Sequence, residues 1–137
     1  MKEYPVIIAQ DIIWGDMDAF DHINNTVYFR YFENARIEYF NKIGVIEQKE
    51  QLGVGPILAS TRCNFRVPLE YPDRIHIGAR ASVQSAKKFI MDFAVFSEKY
   101  GAIAADGDGL IVYYDYARGK SCKIPDAVVK AIGTLEG

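Results

Sequence analysis

The chain has 137 residues, of which half are apolar and a quarter are charged, and its formal net charge is −2. This length and composition are typical of one globular domain, so residues 1–137 are assigned to a single domain. The lack of a basic excess argues against a nucleic-acid partner, and no apolar run approaches the roughly 18 residues that a membrane span requires.

Cysteine usage and the N-terminus indicate the compartment. Cys63 and Cys122 are the only cysteines and do not form a disulfide framework. The N-terminal residues lack the apolar core and cleavage site of a secretory signal, so a cytoplasmic protein is predicted. A zinc site would have to combine both cysteines with His22 and His76, at spacings unlike those of known zinc sites, so no metal or other cofactor is predicted.

The N-terminal half contains one predicted strand and one predicted helix. Residues 6–14 are mostly apolar and β-branched, which indicates a strand. Apolar side chains then recur every three or four positions, at Tyr28, Phe32, Ala35, Tyr39 and Ile43. This spacing predicts an amphipathic helix, and Gly44 provides the left-handed residue at which helices commonly end.

The C-terminal half has the two-residue period of strands. Four strands are predicted, over residues 57–67, 75–83, 89–96 and 103–116. In the first of these strands the odd-numbered positions, from Ile57 to Val67, form the apolar face. Asp106-Gly-Asp-Gly interrupts the last strand and predicts a bulge there. A short helix is predicted from Pro125 to about Gly133.

The order of these elements predicts the fold class. No helix separates the later strands, so they are expected to pair antiparallel through short connections. The one long helix then has to cover one face of a curved sheet. We therefore predict an α+β fold in which an antiparallel sheet of about five strands packs against one long central helix.

The polar segment before the long helix holds the candidate catalytic groups, which are Asp16, Asp18, Asp21, His22, Asn24 and Asn25. A helix N-terminus presents unpaired N–H groups and positive potential, which can stabilise an oxyanion, and a nearby carboxylate can act as base or nucleophile. This combination favours acyl transfer. The same residue types are also common helix caps, so we expect Asp21, Asn24 or Asn25 to cap the helix in either case.

Residues 16–28 read Asp-Met-Asp-Ala-Phe-Asp-His-Ile-Asn-Asn-Thr-Val-Tyr, and residues 31–36 read Tyr-Phe-Glu-Asn-Ala-Arg. The run resembles the signature of the 4-hydroxybenzoyl-CoA thioesterase family, in which Asp-x-Asp-x-x-Gly-His-x-Asn-Asn-x-x-Tyr leads into a Tyr-Phe-Glu-x-Ala-Arg helix. A weaker similarity extends over nearly the whole chain, through residues 58–73 and the last predicted strand.

The resemblance implies a hotdog fold, in which the sheet wraps around the long helix. It also implies a homodimer or homotetramer with active sites at the boundary between protomers, and hydrolysis of an acyl-CoA to free CoA and a carboxylic acid. The family's catalytic aspartate maps onto Asp18, as nucleophile or general base. The helix-end amide that polarises the thioester carbonyl maps onto Asn25. His22 is a further catalytic candidate, either positioning Asp18 or bonding the loop backbone.

The chain departs from the family signature at two positions. Asp21 replaces the glycine before His22, and aspartate tolerates a left-handed backbone better than most residues do. Pro72 replaces the usual glycine before Asp73, which concerns the local turn and not the fold. Glu33 is assigned a structural role, because the hotdog subfamily with a catalytic helical glutamate has a glycine-rich lead-in that this chain lacks.

Candidate substrate-binding residues are aromatic or basic. Tyr28 and Phe32 could line an acyl pocket, although aromatic residues at helical spacing also build cores. Arg62 and Arg66 share one polar strand face and could bind a CoA phosphate together. Lys87 and Lys88, at a strand turn, are the alternative phosphate site, and ordinary surface charge is the competing interpretation for all four basic residues.

Other functions on the same fold compete with hydrolysis of an acyl-CoA. One is an acyl-carrier-protein thioesterase, and another is a non-catalytic acyl-CoA-binding protein, for which an intact Asp18 loop would have no use. Hotdog hydratases and dehydratases use an Asp/His pair within a different motif. Release of free CoA from acyl-CoA substrates would separate hydrolysis from binding and from hydration.

Overall fold

The computed structural model describes residues 1–137. In chain order its elements are β1 (Val6–Asp11), a 3₁₀ turn (Trp14–Asp16), α1 (Asn25–Lys42), α2 (Val45–Leu52), β2 (Val54–Phe65), β3 (Arg74–Val83), β4 (Lys88–Ser97), β5 (Ala102–Asp115), β6 (Lys120–Ser121) and α3 (Asp126–Glu136). None of its helices combines the length and hydropathy that crossing a membrane requires.

All strands pair antiparallel in one sheet, in the order β1-β3-β4-β5-β2, and the short β6 pairs with β5. The sheet curls around α1, which contacts β1, β2, β3 and β4. The predicted α+β hotdog architecture, with about five main strands and one long helix, is therefore confirmed. Because β1 and β2 lie at the two edges of the sheet, a gap along α1 remains between them.

The core lies between α1 and the inner face of the sheet. The helix buries the side chains Tyr28, Tyr31, Phe32, Ala35, Tyr39 and Phe40. The predicted alternation in β3 is confirmed from Ile75 to Ala81, whose inward side chains are buried. Phe32 stacks on Phe93 of β4, with ring centroids 4.9 Å apart. This contact fixes the middle of the helix against the centre of the sheet.

Gly107 lets β5 pass close to the helix. A Cβ atom at this position would overlap the carbonyl oxygen of Arg62 and lie 2.8 Å from Cε2 of Phe32. The predicted bulge at this glycine-rich stretch is wrong, since β5 pairs without interruption with β2 from Ala105 to Gly109. Gly107 therefore allows close packing against the Phe32 ring and does not interrupt the strand.

The predicted apolar face of β2 is wrong at its first position. A register shift between Leu58 and Ser60 changes the phase of the strand, so Leu58 pairs with buried Ile111 while Ile57 pairs with Val112. The phase is restored after the bulge, where Cys63 is half-buried. Since β2 is an edge strand, most of its side chains remain exposed in the single chain.

The remaining differences from prediction concern element ends. The first strand stops at Asp11 because Trp14 begins a 3₁₀ turn, and α1 begins at Asn25, three residues earlier than its apolar pattern. The left-handed conformation of Gly44 is confirmed, with φ of 75°, but a second helix that we had not predicted follows it. The last helix continues to Glu136.

Candidate active site

Residues 17–23, here called the aspartate loop, form a tight turn before α1. The N–H of Asp18 donates to the carbonyl oxygen of His22 at 2.9 Å, and the N–H of Asp21 donates to that of Asp18 at 3.1 Å. Met17 and Ile23 form a β-bridge below this turn. Asp21 has φ of 62°, so the left-handed backbone considered for the family's glycine position is present here.

The carboxylate of Asp18 is exposed and held at one oxygen only. Its Oδ1 accepts a hydrogen bond of 2.8 Å from the N–H of Phe20, which fixes the side chain within the loop. Its Oδ2 accepts no hydrogen bond from the chain. One oxygen is therefore available to attack a carbonyl carbon or to take a proton from water.

Of the three predicted cap candidates, Asp21, Asn24 and Asn25, it is Asn24 that caps α1. Its Oδ1 accepts from the N–H of Thr26, and its carbonyl oxygen accepts from the N–H of Val27 at 2.9 Å. The N–H of Asn25, the first residue of the helix, donates to no group of the chain. The cap thus leaves this amide available where the helix dipole is most positive.

A cavity of about 260 Å³ opens beside this helix start. It is lined by His22, Ile23, Asn25, Tyr28, Phe65, Arg66, Val67 and Pro68. The structure therefore brings four of the predicted site residues together: His22, Asn25, Tyr28 and Arg66. Asp18 belongs to the same loop but does not line this cavity. Phe32 is buried in the core and lies away from it.

The segment after β2 fastens the aspartate loop to the helix. The carbonyl oxygen of Leu69 accepts from the N–H of Ile23 at 2.8 Å, and the N–H of Leu69 donates to the hydroxyl of Tyr28 at 3.2 Å. The Tyr28 ring packs edge-on against Phe65, with centroids 5.0 Å apart. Burial raises the pKa of Tyr28, so its hydroxyl stays protonated at neutral pH.

The roles of Phe65 and Leu69 were not predicted. Their contacts with Tyr28 span 37 and 41 sequence positions, and no local motif marks them. The only sequence signal was the weak similarity of residues 58–73 to the family's second strand and turn. The peptide bond before Pro72, in this same turn, is cis.

The candidate phosphate-binding residues are divided between two places. Arg62 of β2 forms an ion pair with Asp108 of β5 at 2.8 Å, and Arg66, directly after β2, forms one with Asp106 of β5 at 2.6 Å. Lys88, the first residue of β4, lies opposite Val112 of β5. This is the end of the sheet away from Ser97 and the aspartate loop. The ten residues of β4 span about 30 Å at ~3.3 Å per residue, so Lys87 and Lys88 lie far from the cavity in one chain.

A larger groove of about 630 Å³ follows the exposed side of α1, in the gap between β1 and β2. Its lining includes Gln10, Asp16, Thr26, Phe29, Arg36 and Leu58. Glu33 also borders it and lies 3.4 Å from Arg30 and 3.9 Å from Arg36, contacts that agree with its assigned structural role. No group of three or more His, Cys, Asp or Glu side chains is close enough to hold a metal ion.

Comparisons with known proteins agree with this fold. Residues 12–132 match the family model described as "Thioesterase-like superfamily". A chloroplastic acyl-acyl carrier protein thioesterase of Arabidopsis thaliana is 25% identical over 114 residues, which are 82% of this chain and 60% of that protein.

Solved structures of thioesterases share the fold of this chain. A thioesterase of Thermus thermophilus, solved with coenzyme A and zinc, is 28% identical with a TM-score of 0.86, covering 100% of this chain and 98% of that one. A 1,4-dihydroxy-2-naphthoyl-CoA thioesterase of Synechocystis shares the fold with a TM-score of 0.85 at 14% identity, covering 96% and 98%. The chain therefore belongs to the Thioesterase-like superfamily, and the predicted enzyme class, a thioester hydrolase, is confirmed.

Proposed function

We propose that the protein is an acyl-CoA thioesterase, with Asp18 as nucleophile or general base and the N–H of Asn25 as oxyanion donor. The observation that carries this proposal is the unbonded amide of Asn25, a residue that lines a cavity at the end of the Asp18 loop. The similarity of the loop to the 4-hydroxybenzoyl-CoA thioesterase signature supports the same two roles.

The proposed reaction begins when the thioester carbonyl oxygen approaches the N–H of Asn25. As the carbonyl carbon becomes tetrahedral, negative charge develops on this oxygen next to the positive end of α1. In one route Asp18 attacks the carbon, the C–S bond breaks and water hydrolyses the resulting mixed anhydride. In the other route Asp18 takes a proton from water, the hydroxide attacks the carbonyl carbon, and the C–S bond then breaks to release the thiolate. Transfer of labelled oxygen from solvent into Asp18 occurs only in the first route.

Departure of the leaving group does not require a strong general acid in the site. A simple thiol has a pKa of about 8.5, so the thiolate of CoA leaves without a strong general acid. The mechanism therefore needs a carboxylate and an oxyanion donor, which the loop and the helix start supply. His22 lines the same cavity, which supports a role in contacting the substrate or in holding the loop.

The identity of the carrier rests on the relatives. The Thermus thermophilus structure contains coenzyme A, which supports a CoA thioester as substrate. The Arabidopsis thaliana relative is an acyl-acyl carrier protein thioesterase, so an acyl-carrier-protein thioester is the second candidate. We retain a cytoplasmic location as part of this proposal, and the free thiols of Cys63 and Cys122 agree with it.

We also propose that the protein is a homodimer or homotetramer whose sheets join through β2. This strand has an unpaired edge, where Ile57, Leu58 and Phe65 are 36%, 38% and 50% exposed. An unprotected edge of 12 residues is a pairing template that proteins normally cover. Because Phe65 lines the cavity, pairing at β2 would bring the second protomer close to the site.

A substrate panel tests the proposed function. The purified protein is incubated with aromatic and aliphatic acyl-CoAs of several lengths in the presence of a thiol-reactive dye. We expect free CoA to appear, with rates that depend on the acyl group. A hydratase would instead change the absorbance of an enoyl-CoA, and a binding protein would give neither signal. Parallel acyl-carrier-protein thioesters identify the carrier.

A further inference from the structure

The carboxylate of Glu70 lies beside His22, which lines the cavity. Its Oε2 is 4.0 Å from Nε2 of the imidazole. Its Oε1 accepts hydrogen bonds from Nζ of Lys99 at 2.9 Å and from the hydroxyl of Tyr100 at 2.7 Å. One carboxylate oxygen is thus fixed by two donors, and the other is turned towards the histidine.

The donors to Glu70 are themselves held by the turn between β4 and β5. The backbone N–H of Lys99 donates to Oδ1 of Asp73 at 3.0 Å, and that of Tyr100 donates to Oγ of Ser97 at 3.1 Å. The hydroxyl of Ser97 in turn donates to Oδ2 of Asp73. The Glu70 carboxylate is therefore held by the turn between β4 and β5, and Asp73 and Ser97 in turn hold the backbone of that turn.

The imidazole of His22 has no comparable support of its own. Its side chain is 46% exposed, and Glu70 is the only group of the chain that pairs with its ring. The backbone links the two residues as well, because Leu69, next to Glu70, accepts from Ile23, next to His22. The distance of 4.0 Å is longer than a hydrogen bond, and catalytic contacts are often long before substrate binds.

We propose that Glu70 is a positioning residue that holds the His22 imidazole at the cavity where the thioester carbonyl binds. This inference rests on the proposed function and adds to it a residue outside the aspartate-loop motif. Hydrogen bonds from Lys99 and Tyr100 lower the pKa of Glu70, so the carboxylate is ionised at neutral pH and accepts from a protonated ring nitrogen. Glu70 acts through His22 and does not itself contact the reacting atoms.

A double-mutant cycle tests this role. Glu70→Gln removes the charge and keeps an oxygen that accepts from Lys99 and Tyr100. We expect it to lower kcat/KM about tenfold when His22 is present, mainly through kcat, and less than about twofold in a His22→Ala background. Tyr100→Phe removes one of the two donors that fix Glu70, and we expect a smaller loss that His22→Ala also abolishes.

The outer face of the sheet offers a matched control. There Nε2 of His76 lies 2.6 Å from Oε2 of Glu98, a pair of the same chemistry that does not line the cavity. Glu98→Gln should leave kcat/KM unchanged. Equal losses from Glu70→Gln with and without His22, or no loss from His22→Ala, would overturn the role of Glu70. If Asp18→Asn is inactive in the same assay, those outcomes leave the proposed function standing.

Discussion

The Oδ1 atom of Asn24 accepts hydrogen bonds from both the backbone N–H and the hydroxyl of Thr26, each at 3.0 Å. This one side chain therefore satisfies the second amide of α1 and leaves the first, that of Asn25, for another acceptor. The cap and the proposed oxyanion donor are consecutive residues with separate tasks. Their effects on stability and on catalysis should accordingly be separable.

Asn24→Ala should destabilise the protein without removing Asp18 or the amide of Asn25. Loss of an N-cap side chain costs about 1 kcal/mol, so we expect the free energy of unfolding to fall by about that amount. Urea denaturation followed by circular dichroism measures the change. Asn24→Asp keeps a capping oxygen and serves as the control. Equal stability of the alanine variant and the wild type would contradict the cap.

Asp18→Asn should keep the fold and remove most activity. The amide oxygen can still accept from Phe20, so the loop conformation is preserved, but the nucleophile or base is lost. Removal of one oxyanion donor typically costs ~10²–10³ in rate, and loss of the carboxylate should cost at least as much. Steady-state kcat on the best substrate measures the effect. An asparagine variant with more than about a tenth of wild-type kcat would refute the role of Asp18.

Asp21→Asn is the matched control for that substitution. It removes a carboxylate from the same loop, three residues away, and asparagine also tolerates the left-handed backbone at this position. We expect this variant to keep most of its activity. A loss as large as that of Asp18→Asn would show that the loop's total charge, and not one carboxylate, supports the reaction.

The backbone at residue 21 gives a separate stability prediction. Asp21→Gly introduces the residue found in the family signature, and we expect the free energy of unfolding to change by less than about 0.5 kcal/mol. Asp21→Val places a β-branched side chain at φ of 62° and should lower it by about 1–2 kcal/mol. The two variants are compared by thermal and urea unfolding. Similar stabilities would show that the loop relaxes away from this conformation.

Charge removal at the CoA site should raise KM much more than it lowers kcat, because phosphate contacts are remote from the reacting carbonyl. The candidates are Arg62, Arg66, Lys87 and Lys88, each changed to alanine. We expect the largest rise for Arg66, since it alone among them lines the cavity with Asn25. Unchanged KM in all four variants would exclude these residues from CoA binding.

The oligomeric state can be measured directly. Light scattering at micromolar concentration should give two or four times the 15.5 kDa mass of the chain. Leu58→Arg, on the exposed edge strand, should reduce that mass, whereas Ile7→Arg on β1 serves as a similarly exposed apolar control. A monomer mass for the wild type would count against active sites at a protomer boundary.

Local patterns in the sequence were enough to predict the elements that position the site. The spacing of apolar residues from Tyr28 to Ile43 predicted α1. The polar residues before it narrowed the helix cap to Asp21, Asn24 or Asn25, and the structure shows that it is Asn24. These features depend on neighbours within one or two helical turns. The antiparallel pairing also followed, because short connections leave no other arrangement.

Features that depend on distant contacts could not be predicted in the same way. The bulge in β2 is set by its pairing with β5, about 50 residues later, and it reversed the face of Ile57. The sequence of α2 has no apolar stripe that would indicate a helix, and Val45 is its only buried residue. The contact between Glu70 and His22 requires the turn around Leu69 to fold back onto the aspartate loop.

The absence of a side chain at Gly107 also limits which positions can be substituted without shifting α1 relative to the aspartate loop. Phe32 rests against this position, and it lies seven residues, or about two turns, after Asn25 on the same rigid helix. A side chain at residue 107 would push the helix away from the sheet and displace the amide of Asn25 relative to Asp18. Libraries that reshape substrate preference should therefore leave residue 107 as glycine and vary the cavity walls at Phe65 and Val67.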